Sequence, residues 1–283
     1  MSDKQDPIKQ SGYIIEYVKR ETALNMPSNH YHSYYEIYYQ LSGERYFFIK
    51  DRSYYLKKGD IVLINSYELH KTLQAGGNTH ERILIYFQAS YLEAFKNAIN
   101  DFDLFQCFEK DTPVFNLGPK EQLFIEKLLY SMLEEDTTRS EGYMSCTKVY
   151  LLELLIFLGR FSPEIKNSYL EFPSSLHKKI SEITNYINIH YKEDLSLEKI
   201  SNLFYMNNYY LSRTFNEVTG FHFTQYVNTV RIRASEELLQ KTNLSVLEIA
   251  IAVGYSNSTH FGRVFKQLLG VSPLQYRKIN KLP

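Results

Sequence analysis

Between Tyr13 and Phe87, apolar positions come in short β-prone runs at 14–18, 34–41, 46–49, 61–64 and 83–87. Turn residues separate them at Ser42-Gly43, Lys50-Asp51-Arg52, Lys58-Gly59-Asp60 and Gly76-Gly77-Asn78. Short strands at such spacing predict a small antiparallel barrel or sandwich. The period changes at Pro119, a favoured first residue of a helix. Leu123, Phe124, Leu128 and Met132 follow at helical spacing, and a second helix is predicted over 143–161. Ser162-Pro163-Glu164 ends it, and Glu171-Phe172-Pro173-Ser174-Ser175 reads as a linker.

Beyond the linker, Ile180, Ile183, Ile187 and Tyr191 mark one face of a helix, and a short helix, a turn and a second helix then occur twice. Residues 205–215 lie over 255–265 without a gap. Identical pairs include Leu197/Leu247, Tyr205/Tyr255, Asn207/Asn257, Arg213/Arg263, Phe215/Phe265 and Gly220/Gly270. A fixed internal period marks a duplicated unit, and each copy has the shape of a helix-turn-helix. The predicted helices are 196–203 and 207–218, then 245–253 and 257–269, with a long joiner at 224–240 and a last helix after Ser272-Pro273. In this register Ile200 and Leu203 match Ala250 and Val253, and Phe204 stands where the second copy has Gly254. Ser196 and Ser245 are placed to cap the first helices, with Glu198 and Glu248 in the opening turns.

A length of 283 residues favours two domains, and 44% hydrophobic with 23% charged residues fits a soluble chain. Equal totals of 32 basic and 32 acidic residues argue against a nucleic-acid binder until the distribution is considered. Residues 176–283 hold 13 Lys and Arg against 8 Asp and Glu, and the first 175 hold 19 against 24. A basic C-terminal part beside an acidic N-terminal part suits a DNA reader joined to a domain with another task. Cys107 and Cys146 are too few for a disulfide framework. The polar first residues lack a signal peptide's apolar core, and the apolar stretch at 149–158 is interrupted by Glu153 and too short to span a bilayer. A cytoplasmic protein without membrane contact is expected.

Leu211/Phe261 and Phe215/Phe265 sit four apart and share the core face of each second helix. The outward set is Asn208, Tyr209, Ser212, Arg213 and Asn216 in the first copy, and Ser258, Thr259, Gly262, Arg263 and Lys266 in the second, with His260 also expected among the DNA-binding residues. These side-chain types pair with base edges and phosphates, so double-stranded DNA is the expected partner. Arg213 and Arg263, alike in both copies, suit phosphate contact or bracing; Asn208/Ser258 and Tyr209/Thr259 differ and suit sequence discrimination. A helical scaffold that binds another protein is the bland alternative, but two units either side of a long helix do not stack as a solenoid.

Within 231–277, Ala234, Leu238-Leu239, Glu248-Ile249-Ala250, Val253-Gly254-Tyr255, Phe261, Arg263-Val264-Phe265-Lys266, Gly270, Ser272-Pro273 and Tyr276-Arg277 resemble the signature of AraC/XylS-type transcription regulators. The resemblance implies two helix-turn-helix subdomains on a long joining helix, placing recognition helices in adjacent major-groove turns of promoter DNA. It also implies RNA polymerase as a partner and a homodimer formed through helices such as those of 119–161. The apolar run Val149, Leu151, Leu152, Leu154, Leu155, Ile156, Phe157 and Leu158, with almost no polar face, agrees with burial on two sides.

In the first part, His30-Tyr31-His32, Glu36 and Gly43, then Gly59 and His70, resemble the two motifs of a cupin. On a strand, His30, His32 and Glu36 share parity and face one side, and His70 is expected from a neighbouring strand. Two imidazoles and a carboxylate suit a metal. AraC-type sensor domains, by resemblance, keep such residues around an organic effector without metal. The expected effector site is therefore His30, His32, Glu36, Tyr38 and His70, with no metal and no cofactor. The bland reading has some of these, His30 above all, bonding loop backbone. The 25 Tyr residues favour a sugar as effector, since aromatic faces cover C–H patches.

The expected architecture is α+β. A cupin-like antiparallel β-barrel over 1–118 is followed by a helical dimerisation segment over 119–165, a linker over 166–175, and an all-α DNA-binding domain with two helix-turn-helix units over 176–283. The expected function is a ligand-responsive regulator, not an enzyme, that activates sugar uptake or catabolism genes. The alternative is a metal-binding cupin enzyme or metal sensor with an accessory DNA-binding tail.

Overall fold

The computed structural model describes residues 8, 11–21, 32, 34–66, 68–75, 77, 79–99, 101–161 and 174–280. His30 and positions 166–173 of the expected linker lie outside the described residues. Contacts divide the chain into two units, residues 1–50 with 54–171 and residues 51–53 with 172–283.

The first unit contains β1 (Tyr13–Arg20), β2 (Tyr35–Ser42), β3 (Arg45–Ile49), β4 (Arg52–Leu56), β5 (Asp60–Ile64), β6 (His70–Gln74), β7 (His80–Phe87) and β8 (Val114–Asn116). They form a five-stranded sheet of order β1-β7-β2-β5-β8 and a three-stranded sheet of order β4-β3-β6. The pairs β1–β7, β7–β2, β2–β5, β5–β8 and β3–β6 are antiparallel.

Side chains alternate across a strand, so β2 feeds two cores. Ile37 and Tyr39, beside Ile85 and Ile83 of β7, join a cluster with helices α2 (Pro119–Thr138) and α3 (Tyr143–Arg160). Ile125, Leu129 and Met132 of α2 and Leu151, Leu154, Leu155 and Leu158 of α3 supply its other half. On the opposite face, Tyr38, Val62, Ile64, Leu84 and Val114 meet Phe47, Ile49 and Leu56 of the small sheet. The large sheet is thus covered on both faces, and every residue of β5 is buried. The outer side of the helices keeps apolar groups exposed, Leu123 at 73% and Val149 at 51%.

β4, β8 and the short helix α1 (Glu93–Ala98) have no counterpart among the expected elements, and β6 is expected only as the neighbouring strand of His70, without bounds. Arg52, read as a turn, opens β4, because Lys50 takes the left-handed conformation (φ 59°) and closes the hairpin two residues earlier. β6 reads His-Lys-Thr-Leu-Gln and has too little apolar alternation to announce itself.

The second unit comprises α4 (Ser175–His190), α5 (Leu197–Leu203), α6 (Asn208–Thr219), α7 (Phe223–Lys241), α8 (Val246–Ala252), α9 (Ser258–Leu269) and α10 (Pro273–Asn280). Ser196 accepts from the Lys199 amide and caps α5, and Ser245 forms a reciprocal box with Glu248 at α8. Leu211, Phe215, Phe261 and Phe265 are fully buried, as the four-residue spacing required.

The gapless register of the repeat does not hold through the first helices. At the end of α5, the amides of Phe204, Tyr205 and Met206 donate to the carbonyls of Ile200, Asn202 and Ser201. At the end of α8, those of Val253, Gly254 and Tyr255 donate to Ile249, Ile251 and Ala250. Ile200 therefore corresponds to Ile249, not Ala250, and Tyr205 (φ 54°), not Phe204, occupies the left-handed position of Gly254 (φ 93°). The first turn is one residue shorter: Asn207 follows Met206 directly where Ser256 intervenes in the second copy. At Gly254 a Cβ would lie 2.8 Å from the carbonyl oxygens of Tyr191 and Lys192, so glycine is needed for space as well as for φ. Arg231 grips the same corner, donating to the carbonyls of Tyr191 at 2.8 Å and Glu193 at 2.6 Å.

Candidate DNA-reading helices and effector site

The helices α6 and α9 begin with matched caps. Asn207 Oδ1 accepts from the amide of Tyr209 at 2.8 Å, and Asn257 Oδ1 accepts from that of His260 at 2.8 Å. Asn208, Tyr209, Arg213, Thr259, His260, Arg263 and Lys266 are exposed; Ser212, Asn216 and Ser258 are half-buried. Asn208 is tied inward, its Oδ1 accepting from the Ser201 hydroxyl, which holds α6 to α5.

Two members of this face are not among the residues expected from sequence. Tyr210, the counterpart of His260, is 51% exposed, and Glu217 receives the Nε–H of Arg213 at 2.8 Å. The helices thus differ in charge. Glu217 balances Arg213 on α6, while α9 carries Arg263 and Lys266 and no carboxylate.

In the first unit, His32, Glu36 and His70 come together. His32 Nε2 lies 3.0 Å and His70 Nε2 3.2 Å from Glu36 Oε2, with side-chain exposures of 7%, 0% and 1% for His32, His70 and Glu36. His32 Nδ1 is 2.8 Å from the Tyr34 carbonyl and His70 Nδ1 is 2.7 Å from that of Glu68. A carbonyl only accepts, so each Nδ1 carries a proton and each Nε2 is turned to the carboxylate. Burial works to raise the Glu36 carboxyl, but hydrogen bonds and charge from the two histidines reverse this and hold it well below the usual range.

Strand parity is not what gathers this cluster. His32 precedes β2, and the Tyr34 carbonyl steers its ring back to Glu36. Tyr34 stacks on His32 at 3.9 Å, and Tyr86 meets His32 edge-on at 6.0 Å; neither tyrosine was singled out from sequence. Tyr38 lies on the inner side of the same strand, its hydroxyl donating to Gln40 Oε1 at 2.6 Å.

One ligand atom from each of His32, Glu36 and His70 lies within 4.8 Å of the others. Two imidazoles with Nδ1–H fixed on carbonyls, and one carboxylate, match the donor set and outer bonding of a divalent transition-metal centre. The residues fit such an ion. Cavities among the described residues lie elsewhere in this unit. One of about 630 Å³ is lined by Tyr35, Asp101 and Phe105 among others, and one of about 450 Å³ by Phe124, Glu153 and Arg160 among others.

Residues 13–133 match the family described as the AraC-like ligand binding domain, and residues 200–279 match a helix-turn-helix domain. The chain belongs to the AraC-type family. An uncharacterized HTH-type transcriptional regulator of Bacillus subtilis, YisR, is 34% identical over 115 residues, covering 41% of this chain and 40% of that protein. An uncharacterized HTH-type transcriptional regulator of Staphylococcus aureus is 26% identical over 241 residues, 84% of this chain and 30% of that one. The C-terminal domain of AraT, a response regulator from Geobacillus stearothermophilus, is 33% identical, with 39% of this chain and 92% of that one covered at a TM-score of 0.38. The match to this AraC-type chain spans less than half the length of these two curated relatives. Among the described residues no helix is long and apolar enough to cross a membrane.

Proposed function

We propose that the chain is a ligand-responsive, sequence-specific transcription regulator. It binds promoter DNA through α6 and α9 and a small organic effector in the two-sheet unit. The observation that carries this reading is the pair of Asn-capped helices with exposed polar faces, repeated within one basic unit. Their first turns hold Tyr209, Tyr210, Thr259 and His260, the region of a recognition helix nearest the base edges. Asn216, Arg213, Arg263 and Lys266 stand further along, where phosphate contacts fix register.

The effector is sugar-derived and contacts His32, Glu36, Tyr38 and His70; His30, of the same expected set, lies outside the described residues. Its binding favours one arrangement of the chain, and an enzyme's turnover would erase that signal. The exposed Leu123 and Val149, with the cavity at Phe124 and Ile156, support a homodimer through α2 and α3. The output is activation of sugar uptake or catabolism genes, with RNA polymerase as partner in the cytoplasm. A mobility-shift series of the full chain on promoter fragments tests the reading. Binding should weaken steeply between about 50 and 200 mM salt, as several phosphate contacts require, and no shift at low salt would sink it.

The convergence of His32, Glu36 and His70 favours a second reading, in which the same unit senses a transition metal. Elemental analysis of protein purified without chelator separates the two. Substoichiometric metal supports the organic effector, and a full equivalent lost in Glu36→Gln supports the metal sensor.

A further inference from the structure

The layer of side chains between the two sheets has a second polar end, away from the His–Glu cluster. β2 presents Tyr38 and then Gln40 to this side, and the pairing register sets Gln40 beside Arg82 of β7. His80 lies two residues before Arg82 on β7, and Arg45 opens β3 on the same side as Phe47 and Ile49. Arg45 and His80 are each 2% exposed. Gln40 is committed within the chain, accepting from Tyr38 and donating to the Ser42 carbonyl at 2.5 Å.

Positive charge gathers here in a low-dielectric setting. Burial lowers the proton affinity of Arg45; Tyr38 opposes the effect and the like charge of Arg82 adds to it. Burial, then the charges of Arg45, Arg82 and Arg20, push His80 down to about 4. His80 is therefore neutral at pH 7. Its Nε2 accepts from Arg82 Nη1 at 3.4 Å, so its Nδ1 carries the proton and is a donor. The Arg82 guanidinium lies 5.6 Å from the Tyr38 ring centroid. Its Nε–H is buried without a hydrogen-bond partner, and no carboxylate forms an ion pair with Arg82 among the described residues.

We propose that Arg45, Arg82 and His80 form an oxyanion subsite, and that the effector carries a carboxylate or a phosphate which binds there. The proposal rests on the effector-binding reading of this unit and narrows its ligand class. Bringing two guanidiniums together in a buried place is costly, and an anion that shares both offsets their repulsion. The planar fork of arginine matches a carboxylate or phosphate in two parallel hydrogen bonds. A neutral sugar supplies hydroxyls but no opposing charge. An acid or phosphate ester of a sugar satisfies both this end and the aromatic groups near Tyr38.

The test uses the full chain, with calorimetry against inorganic phosphate, acetate and glucose, and NMR observation of the His80 imidazole. The expected result is one equivalent of phosphate or acetate bound, with the His80 resonance moving on titration. Arg82→Gln should weaken that binding by about tenfold or more, Arg82→Lys should weaken it less, and Lys120→Gln should leave it unchanged. Phosphate alone would assign a phosphorylated effector, and acetate alone a carboxylic acid. The proposal is overturned if neither anion moves His80, if Arg82→Gln binds as wild type does, or if glucose binds with the same dependence on Arg82. Failure of the wild-type chain to bind promoter DNA would instead remove the regulator reading and leave this measurement standing.

Discussion

Arg213 donates its Nε–H to Glu217 across 2.8 Å, one turn along α6, whereas the position one turn beyond Arg263 in α9 is Gln267. The two arginines are identical in sequence and matched in register, yet only one is engaged by a carboxylate. An exposed pair of this kind adds little to folding stability. Near a polyanion it matters more, because Glu217 repels phosphate and occupies the guanidinium that would neutralise one.

Arg263→Ala is therefore expected to weaken DNA binding on all sequences and to lower the salt slope by about one, while Arg213→Ala has the smaller effect. Glu217→Gln should strengthen binding at low salt. Fluorescence-anisotropy titrations at several salt concentrations measure all three. Equal losses for the two arginines, with no gain for Glu217→Gln, would refute the asymmetry.

Sequence discrimination should follow the positions where the helices differ. Tyr209 and Thr259 are exposed in the first turns, where the capping asparagines accept from the amides of Tyr209 and Tyr210 in α6 and of His260 in α9. Thr259→Ala is expected to relax preference at one base pair by about 1–3 kcal/mol. Selection from a randomised promoter library reads this out. A uniform loss across sequences would assign Thr259 to the backbone instead.

The turn geometry predicts opposite tolerance at two matched positions. Gly254→Ala combines a left-handed residue with a Cβ 2.8 Å from two carbonyl oxygens, and should cost about 2 kcal/mol or more. Tyr205 is 96% exposed at φ 54°, and Tyr205→Gly should leave stability within about 1 kcal/mol of wild type. Chemical denaturation of the full chain compares them. Similar destabilisation by both would mean that the turns are not equivalent.

These turns also show where the sequence was readable. The second helices were legible because Asn caps, a buried pair four apart and a closing glycine recur together, and each has one physical role. The first helices were misaligned because Tyr205 and Tyr255 are identical, yet they hold different turn positions. Side-chain identity there carried less information than the backbone hydrogen bonds. In the two-sheet unit, β5 was visible as an unbroken apolar run, while β6 was marked only by His70 and its extent was hidden, because His70 and Thr72 fill inward positions that apolar residues usually take. The meeting of His70 with Glu36 was anticipated, but the turn that brings His32 to them was not, and no motif in the sequence marks Arg45 and Arg82.

The joining helix contains a further titratable group whose consequence is measurable. Glu236 of α7 is 5% exposed, with the Tyr276 hydroxyl and Arg233 as its polar neighbours. Burial raises its pKa from 4.5 to about 7, and the nearby Tyr276 hydroxyl and Arg233 only partly oppose this. The folded state therefore holds a proton that the unfolded chain releases near pH 4.5. Stability from this group is full below that value and is lost as pH rises through about 7. At about 1.4 kcal/mol per tenfold change in proton affinity, the ionised carboxylate costs the folded state up to about 3 kcal/mol. Glu236→Gln keeps the shape and removes the charge, so it should raise the melting temperature of the full chain at pH 8 and change it little at pH 4.5. A melting curve shifted equally at both pH values would show that Glu236 is ionised and compensated in the folded chain, and the assignment of a buried neutral carboxyl would fall.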